Sequence, residues 1–447
     1  MTSRTRSTSR RWFPSNGFWL LAAWTTAGTT ATIATADDGH DGAGSTRVRL
    51  VGFASLPADT FASGPASGAN DGTGQPVAGN GRVGPFNGQP VQGLSGVQFG
   101  DLRRGSFVFL SDNGFGAKNN SADYLLRLHE LTPQFSGSKS SNSHGHGAPE
   151  AGSVGVGSFI QLADPLGHIP FAIVNETSTA RRLTGADFDI ESFVFDARGD
   201  LWVGDEFGPF LLHFDATGRL LEAPIATPDL DSAREISATA IVRSPDHPLL
   251  GAATANLGRS KGFEGMAFSV DRQTLYPLLE GSVAGDPPNA LRIYAYSIPA
   301  RDHDFVGFYA LENTSHAIGD FTPVNDHEYL VIERDGGQGA AAAFKKIFLI
   351  DFEQTDAAGF VEKRALVDLM NVSDPLDLNG DGNSLFTFPF VTIEDVLVLD
   401  ERTLLVANDN NYPFSLGRGP DIDNNEIIRL RLPRRLDFDR RLLVDAP

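Results

Sequence analysis

One unit recurs along this chain, and its form limits the folds open to it. It starts with an acidic or small polar residue and a short apolar run, turns, and continues through a second apolar run that ends in an acidic or amide pair. A third apolar run follows. Ser95-Gly96-Val97 leads to Phe107 through Asp112-Asn113 and then to Tyr124 through Leu128. Glu191-Ser192-Phe193 leads to Leu201 through Asp205-Glu206, and Glu264-Gly265-Met266 to Leu275 through Glu280. A weaker copy runs from Asp320 to Glu333-Arg334, and another from Glu394-Asp395-Val396 to Thr403 through Asp409-Asn410. In each copy the first polar residue precedes the second by 13 to 17 positions.

That interval fits two antiparallel strands of about six residues joined by a tight turn, which brings the start of one beside the end of the next. Each unit then presents two polar groups on one rim. Units repeated in this way read as an all-β fold, a β-propeller whose inner strand ends converge on a central channel. The interval from Ser95 to Glu191 has room for one further unit, so six blades are favoured, with five or seven as alternatives and a β-sandwich as the competing architecture. The strand Arg47 to Leu56 is placed to close the ring against Glu426 to Leu432. The 48 Gly and 26 Pro suit so many turns, and the 32 Phe suit a large core. Helical periodicity is confined to Ala340–Lys346 and Ala365–Val372. Gly64 to Gly93 and Ser136 to Gly157 read as loops with too little apolar content to join a core.

The formal charge of −20 argues against a nucleic-acid partner, because phosphate backbones need clustered Lys and Arg. The absence of cysteine excludes disulfides, zinc–thiolate sites, iron–sulfur clusters and a Cys nucleophile. Residues 1–36 carry Arg4, Arg6, Arg10 and Arg11, a weakly apolar run, and Ala34-Thr35-Ala36 before Asp37. This is the form of a cleaved export signal, and Ser9-Arg10-Arg11-Trp12-Phe13 resembles the twin-arginine type; an ordinary secretory signal is the alternative. The run is too polar for a stable membrane span. The expected organisation is a signal at 1–36, a linker at 37–46, a propeller over 47–433 and a tail at 434–447, in a periplasmic or secreted protein.

The repeated stretches resemble the phytase-like family described as having esterase-like activity. The likeness lies in Ser111-Asp112-Asn113-Gly114-Phe115-Gly116-Ala117-Lys118, Asp189-Ile190-Glu191-Ser192, Gly204-Asp205-Glu206-Phe207-Gly208-Pro209 and Lys261-Gly262-Phe263-Glu264-Gly265. It continues in Ile332-Glu333-Arg334-Asp335, Phe388 to Glu394, and Ala407-Asn408-Asp409-Asn410-Asn411. The resemblance implies an exported bacterial propeller that hydrolyses phosphoesters or esters.

Chemistry read from the residues points the same way. Carboxylates crowded on one rim repel and resist ionisation unless a cation joins them. Oxygen ligands in this number suit Ca²⁺, which can hold a phosphate and activate water. The candidate metal ligands are Asp112, Asn113, Asp205, Glu206, Glu394, Asp409 and Asn410. The candidate catalytic groups are Glu191, Glu264 and Glu333, with Lys118, Lys261 and Arg334 as clamps for phosphate oxygens. The competing role for all of them is a ring of ion pairs that only stabilises the fold. Asp377-Leu378-Asn379-Gly380-Asp381-Gly382 matches half of a calcium loop but has Phe388 at the twelfth position, which excludes an EF-hand and leaves a local Ca²⁺ site or a plain Asx-rich turn. Gly258-Arg259-Ser260-Lys261-Gly262 matches the nucleophile-elbow pattern, yet a strand rather than a helix follows. His144 and His146 read as solvated. The leading expectation is a Ca²⁺-dependent hydrolase of a small phosphorylated substrate. A carboxylester or lactone hydrolase and a non-catalytic envelope binder are the rivals.

Overall fold

Runs of β-branched and aromatic residues between Gly, Asp and Asn turns form four-stranded antiparallel sheets one after another along the chain. The computed structural model describes residues 47–137, 150–230 and 240–447. The expected signal and linker, and His144 and His146, lie outside the described residues. Blade 1 comprises Leu94–Phe99, Phe107–Ser111, Arg127–Pro133 and Val154–Gln161. Blade 2 comprises Ile190–Phe195, Leu201–Asp205, Phe210–Phe214 and Ile225–Ala226. Blade 3 comprises Phe263–Phe268, Thr274–Leu279, Ala290–Ser297 and Asp302–Ala310. Blade 4 comprises Ala317–Pro323, Glu328–Arg334, Lys345–Thr355 and Val361–Asp368.

Blade 5 is built from both ends of the described chain. Ile393–Asp400, Thr403–Asn408 and Asn425–Arg431 are completed by Arg49–Leu56, which pairs antiparallel with Asn425–Arg431 in the register Arg49 opposite Arg431. The innermost strands contact one another in the cycle 1-2-3-4-5-1, so the ring closes with five blades. The interval that had room for a sixth holds the two outer strands of blade 1 and their connections.

The core lies between the blades rather than within them. Val108 and Leu110 of blade 1 pack on Ile190 and Phe193 of blade 2. Equivalent clusters join blades 2 and 3, 3 and 4, 4 and 5, and 5 and 1. Inner strands are therefore buried on both faces, as Leu94–Phe99, Ile190–Phe195 and Phe263–Phe268 are throughout. Polar latches cross the same interfaces. Val396 N–H donates to Asp320 Oδ2 (3.0 Å) and Gly96 N–H to Asp395 Oδ1 (3.0 Å).

Two expectations are corrected. Ala340–Lys346 and Ala365–Val372 are not helices; they fall on a three-residue 3₁₀ turn and on strands, with Lys345–Thr355 paired on both sides within blade 4 and Val367, Leu369 and Val372 buried in the cluster shared with blade 5. The stretch 64–93 does join a core: Val77 and Phe86 pack with Phe115, Tyr124, Tyr412 and Ile422 in a cap on the rim. Part of 136–157 is likewise strand, the outer one of blade 1. Among the described residues, no helix is long and apolar enough to cross a membrane.

Candidate active site

Every inner strand slips register near its start. The slips fall between Leu94 and Val97, Ile190 and Ser192, Phe263 and Gly265, Ile318 and Phe321, and Ile393 and Asp395. A bulge turns the strand locally and re-aims a side chain. The residues so placed are Ser95, Glu191, Glu264, Gly319 and Glu394, one from each blade. The position following each second strand's matched residue is Asp112, Glu206, Glu280, Arg334 and Asp409. Two stacked tiers of five thus face one axis.

Blade 4 departs from the pattern, and its departure compensates the rest. Gly319 has no side chain, and a Cβ there would lie 2.3 Å from Ile393 O. Arg334 occupies the neighbourhood instead, its Nη2 2.6 Å from Glu394, 3.3 Å from Glu264 and 3.9 Å from Glu280. Lys261 pairs with Glu280. Ser95 Oγ donates to Glu394 Oε2 (3.1 Å), and Gln92 Nε2 donates to Asp112 Oδ1 (3.3 Å).

Eight carboxylates, the seven of the two tiers plus Asp189, therefore share two cations. Burial, reinforced by the charge of Asp189, pushes Asp112 up to about 7. Burial pushes Asp189 up to about 7 as well, with Asp205 adding to it. Burial followed by neighbouring carboxylates holds Glu191, Glu206, Glu264 and Asp409 well above the usual range. Glu394 is raised by burial even with Arg334 against it.

The arrangement fits a hard cation. Asp189, Glu191 and Glu206 each bring an oxygen within 4.8 Å of the other two, and Glu206, Glu264 and Glu280 do the same. Glu206 belongs to both groups, and its Oε1 is buried without a hydrogen-bond partner. The donors are all oxygen, as Ca²⁺ or Mg²⁺ prefers, with no thiolate or imidazole to select a softer metal.

The structure brings together Asp112, Glu191, Glu206, Glu264, Arg334, Lys261, Glu394 and Asp409 from the sequence expectations. It turns two others away. Asp205 and Glu333 are the register-matched residues one position before the channel set, so alternation points them outward. Asp205 accepts from Asp189 N–H (3.0 Å) and Gly208 N–H (2.7 Å). Glu333 is held by Lys363 Nζ (2.6 Å), Tyr309 Oη (2.8 Å) and His316 Nδ1 (2.7 Å). Asn113 donates to Asp189 Oδ1 (2.6 Å) and Asn410 to Asp423 O (3.0 Å), so both brace the site from behind. Lys118 stands beside the channel, over the Phe207 ring at 5.1 Å.

Asp189 and Glu280 were absent from the expected ligand set. Glu280 closes a second strand in the same way as Glu206, and Asp189 stands two residues before Glu191, so both carried a signal. The Asp377–Gly382 segment is an exposed turn in which Gly382 N–H donates to Asp377 Oδ1 (3.0 Å). Ser260 has a left-handed φ of 48°, and the strand Phe263–Phe268 follows it, so the elbow context is missing.

Comparison with known proteins adds the following. The family model "Phytase-like: Esterase-like activity of phytase" matches residues 89–412. An uncharacterized secreted protein of Arthroderma benhamiae is 30% identical over 151 residues, 32% of this chain and 26% of that one, so the match spans about a quarter of the relative. Among solved structures, a calcium-binding regucalcin from Agrobacterium tumefaciens covers 77% of this chain and 92% of its own at 11% identity and a TM-score of 0.35. A luciferin-regenerating enzyme covers 76% and 92% at 10% identity and a TM-score of 0.30. The β-propeller domain of Swd1 from Myceliophteria thermophila covers 49% and 62% at 11% identity and a TM-score of 0.25. At these scores the structural likenesses carry no argument, and the five-bladed fold rests on its own strand pairing.

Proposed function

Because this chain belongs to the phytase-like family, whose described activity is esterase-like, we propose that it is an exported hydrolase of small phosphoesters that works at the two-tiered channel with a bound divalent cation, Ca²⁺ by preference. The observation that carries this reading is Glu206, a buried carboxylate shared by two oxygen clusters with one oxygen left unpartnered. Asp189, Glu191, Glu206, Glu264 and Glu280 are the residues that would hold the cation, with Asp112, Glu394 and Asp409 completing the rim. A cation bound there supplies positive charge toward a substrate oxygen and toward water.

The chain's own groups do the rest. Asp112, at about 7, is poised to take or give a proton near neutral pH, where a general acid or base is most effective. Glu191 and Glu264 face the same space, where holding the cation would occupy their carboxylates. Arg334 holds Glu264 and Glu394 apart and in place, and Lys261 fixes Glu280. Export is supported by the arginine-rich first segment and by the secreted relative. Carboxylester hydrolysis is the second reading, favoured by the fact that both channel cations are already paired with glutamates.

The test is a panel of phosphoesters and carboxyl esters on the mature protein, with chelator and with added Ca²⁺. Phosphoester turnover should vanish with chelator, return with Ca²⁺, and fall about 100-fold in Glu206→Gln, the scale of losing a metal-site group. Turnover indifferent to chelator would remove the cation from the proposal. Turnover of carboxyl esters alone would select the second reading, and a folded protein inert to the whole panel would leave a binding propeller.

A further inference from the structure

We propose that a cavity beside the channel is the subsite for the anionic group of the substrate, and that Lys118 and Arg259 are its clamp. The inference rests on the hydrolase reading for its purpose, though not for its test. The cavity has a volume of about 380 Å³ and is lined by Lys118, Asn119, Phe207, Asp246, Arg259 and Ser260 among others. Three of its wall segments adjoin channel residues in the chain. Phe207 follows Glu206, Ser260 precedes Lys261, and the loop carrying Lys118 leaves the strand that ends before Asp112.

Charge bears on the cavity as well. In a chain of net charge −20, its wall carries two cations against the single carboxylate of Asp246. Lys118 forms no ion pair among the described residues; its ammonium lies over the face of Phe207. Asp246 engages Arg259 through Nη1, and the side chain remains 63% exposed, which leaves its other N–H groups turned to solvent. Lys261 and Arg334, the other cations near the site, are bound to carboxylates. The hydroxyl of Ser260, on a residue held at φ 48°, adds a donor in the same wall. A point charge and a planar fork on one concave surface suit a phosphate dianion, with Phe207 beside it for the apolar part of an ester.

Inorganic phosphate is the probe, titrated calorimetrically into the mature protein with chelator present so that the channel cation plays no part. Wild type should bind phosphate. Lys118→Met and Arg259→Gln should each weaken binding about tenfold, the loss of one charge-assisted hydrogen bond. Lys118→Arg should retain most of the affinity, which guards against a variant that merely misfolds, and melting curves check the fold. Arg103→Ala, at the opposite end of the blade 1 inner strand, should change nothing. Equal phosphate affinity in wild type and both clamp variants, or none in wild type, overturns the proposal. Phosphate bound through Lys118 by a protein that hydrolyses no phosphoester upholds the clamp and removes the hydrolase reading.

Discussion

Replacing Arg334 by Met should cost the fold several kcal/mol at pH 8 and much less at pH 5. The guanidinium lies 2.6 Å from Glu394, 3.3 Å from Glu264 and 3.9 Å from Glu280, and its side chain is 9% exposed. With an effective dielectric of about 20, each such contact is worth roughly 4–6 kcal/mol of gross attraction. Desolvation of the four groups offsets most of that, so the gross figure is not the expected loss. What Met leaves behind decides the outcome: three buried carboxylates without their cation. Removing one partner of a buried pair costs about 3–5 kcal/mol. In a chain of this size that is a fall of roughly 4–6 °C in melting temperature. The carboxylates can escape by taking up protons. Burial has already raised Glu264 and Glu394, and losing Arg334 raises them further. A carboxyl raised in the folded state favours folding below its ordinary pKa and loses that contribution as pH rises through the folded value. The penalty should therefore be about 1–2 kcal/mol at pH 5 and full at pH 8. Urea unfolding of wild type and variant at both pH values, in chelator, reads this directly. An equal cost at the two pH values, or a cost under about 1 kcal/mol at pH 8, would refute the picture of Arg334 as the cation that makes the tiers tolerable.

Wild type in chelator should also lose stability between pH 5 and pH 8. Asp112 and Asp189, each raised by burial to about 7, contribute up to about 2–3 kcal/mol apiece over that window, and added Ca²⁺ should return the loss at pH 8; a flat profile in chelator would contradict the assignment. Gly319→Ala sets a Cβ 2.3 Å from Ile393 O and 3.1 Å from Glu394 Cα, so it should cost about 1–3 kcal/mol or more by thermal melting, and a neutral result would mean the two blades can separate freely. Ala54→Asp buries a charge in the strand that completes blade 5, where Ala54 is 0% exposed opposite Ile427. It should cost about 3–5 kcal/mol and expose blade 5 first to limited proteolysis.

The propeller was legible because its repeat is chemical as well as hydrophobic. Acidic strand starts and ends recur at similar intervals, and turn residues separate them. The blade number was not legible from spacing alone. The interval from Ser95 to Glu191 is long because blade 1 carries long connections around its outer strands, and connection length is free to vary on a surface. The candidate site was legible to within one residue. Asp205 and Glu206 are both acidic, as Glu333 and Arg334 are both charged, and only the register bulges decide which of each pair faces the axis. A one-residue shift exchanges the two faces of a strand, and nothing in local composition marks it. Comparing the copies with one another does mark it. Asp112, Glu280 and Asp409 are the charged residues at that position in blades 1, 3 and 5, and they align with Glu206 and Arg334.

The pairing of Arg49–Leu56 with Asn425–Arg431 also sets an order of events. The strand that closes the ring is the first of the described strands to leave the ribosome, and its partner is among the last. One edge can bond early to the blade 1 region, through Ser55 N–H to Gly152 O (2.8 Å) and Ser136 N–H to Phe53 O (2.8 Å), but the edge that pairs with Asn425–Arg431 has no native partner until blade 5 is made. The nascent protein must therefore carry one open strand edge near its leading end until translation is nearly finished. Chaperone demand during synthesis should fall sharply in a permuted chain that begins between blades 1 and 2, where every sheet is made from consecutive strands.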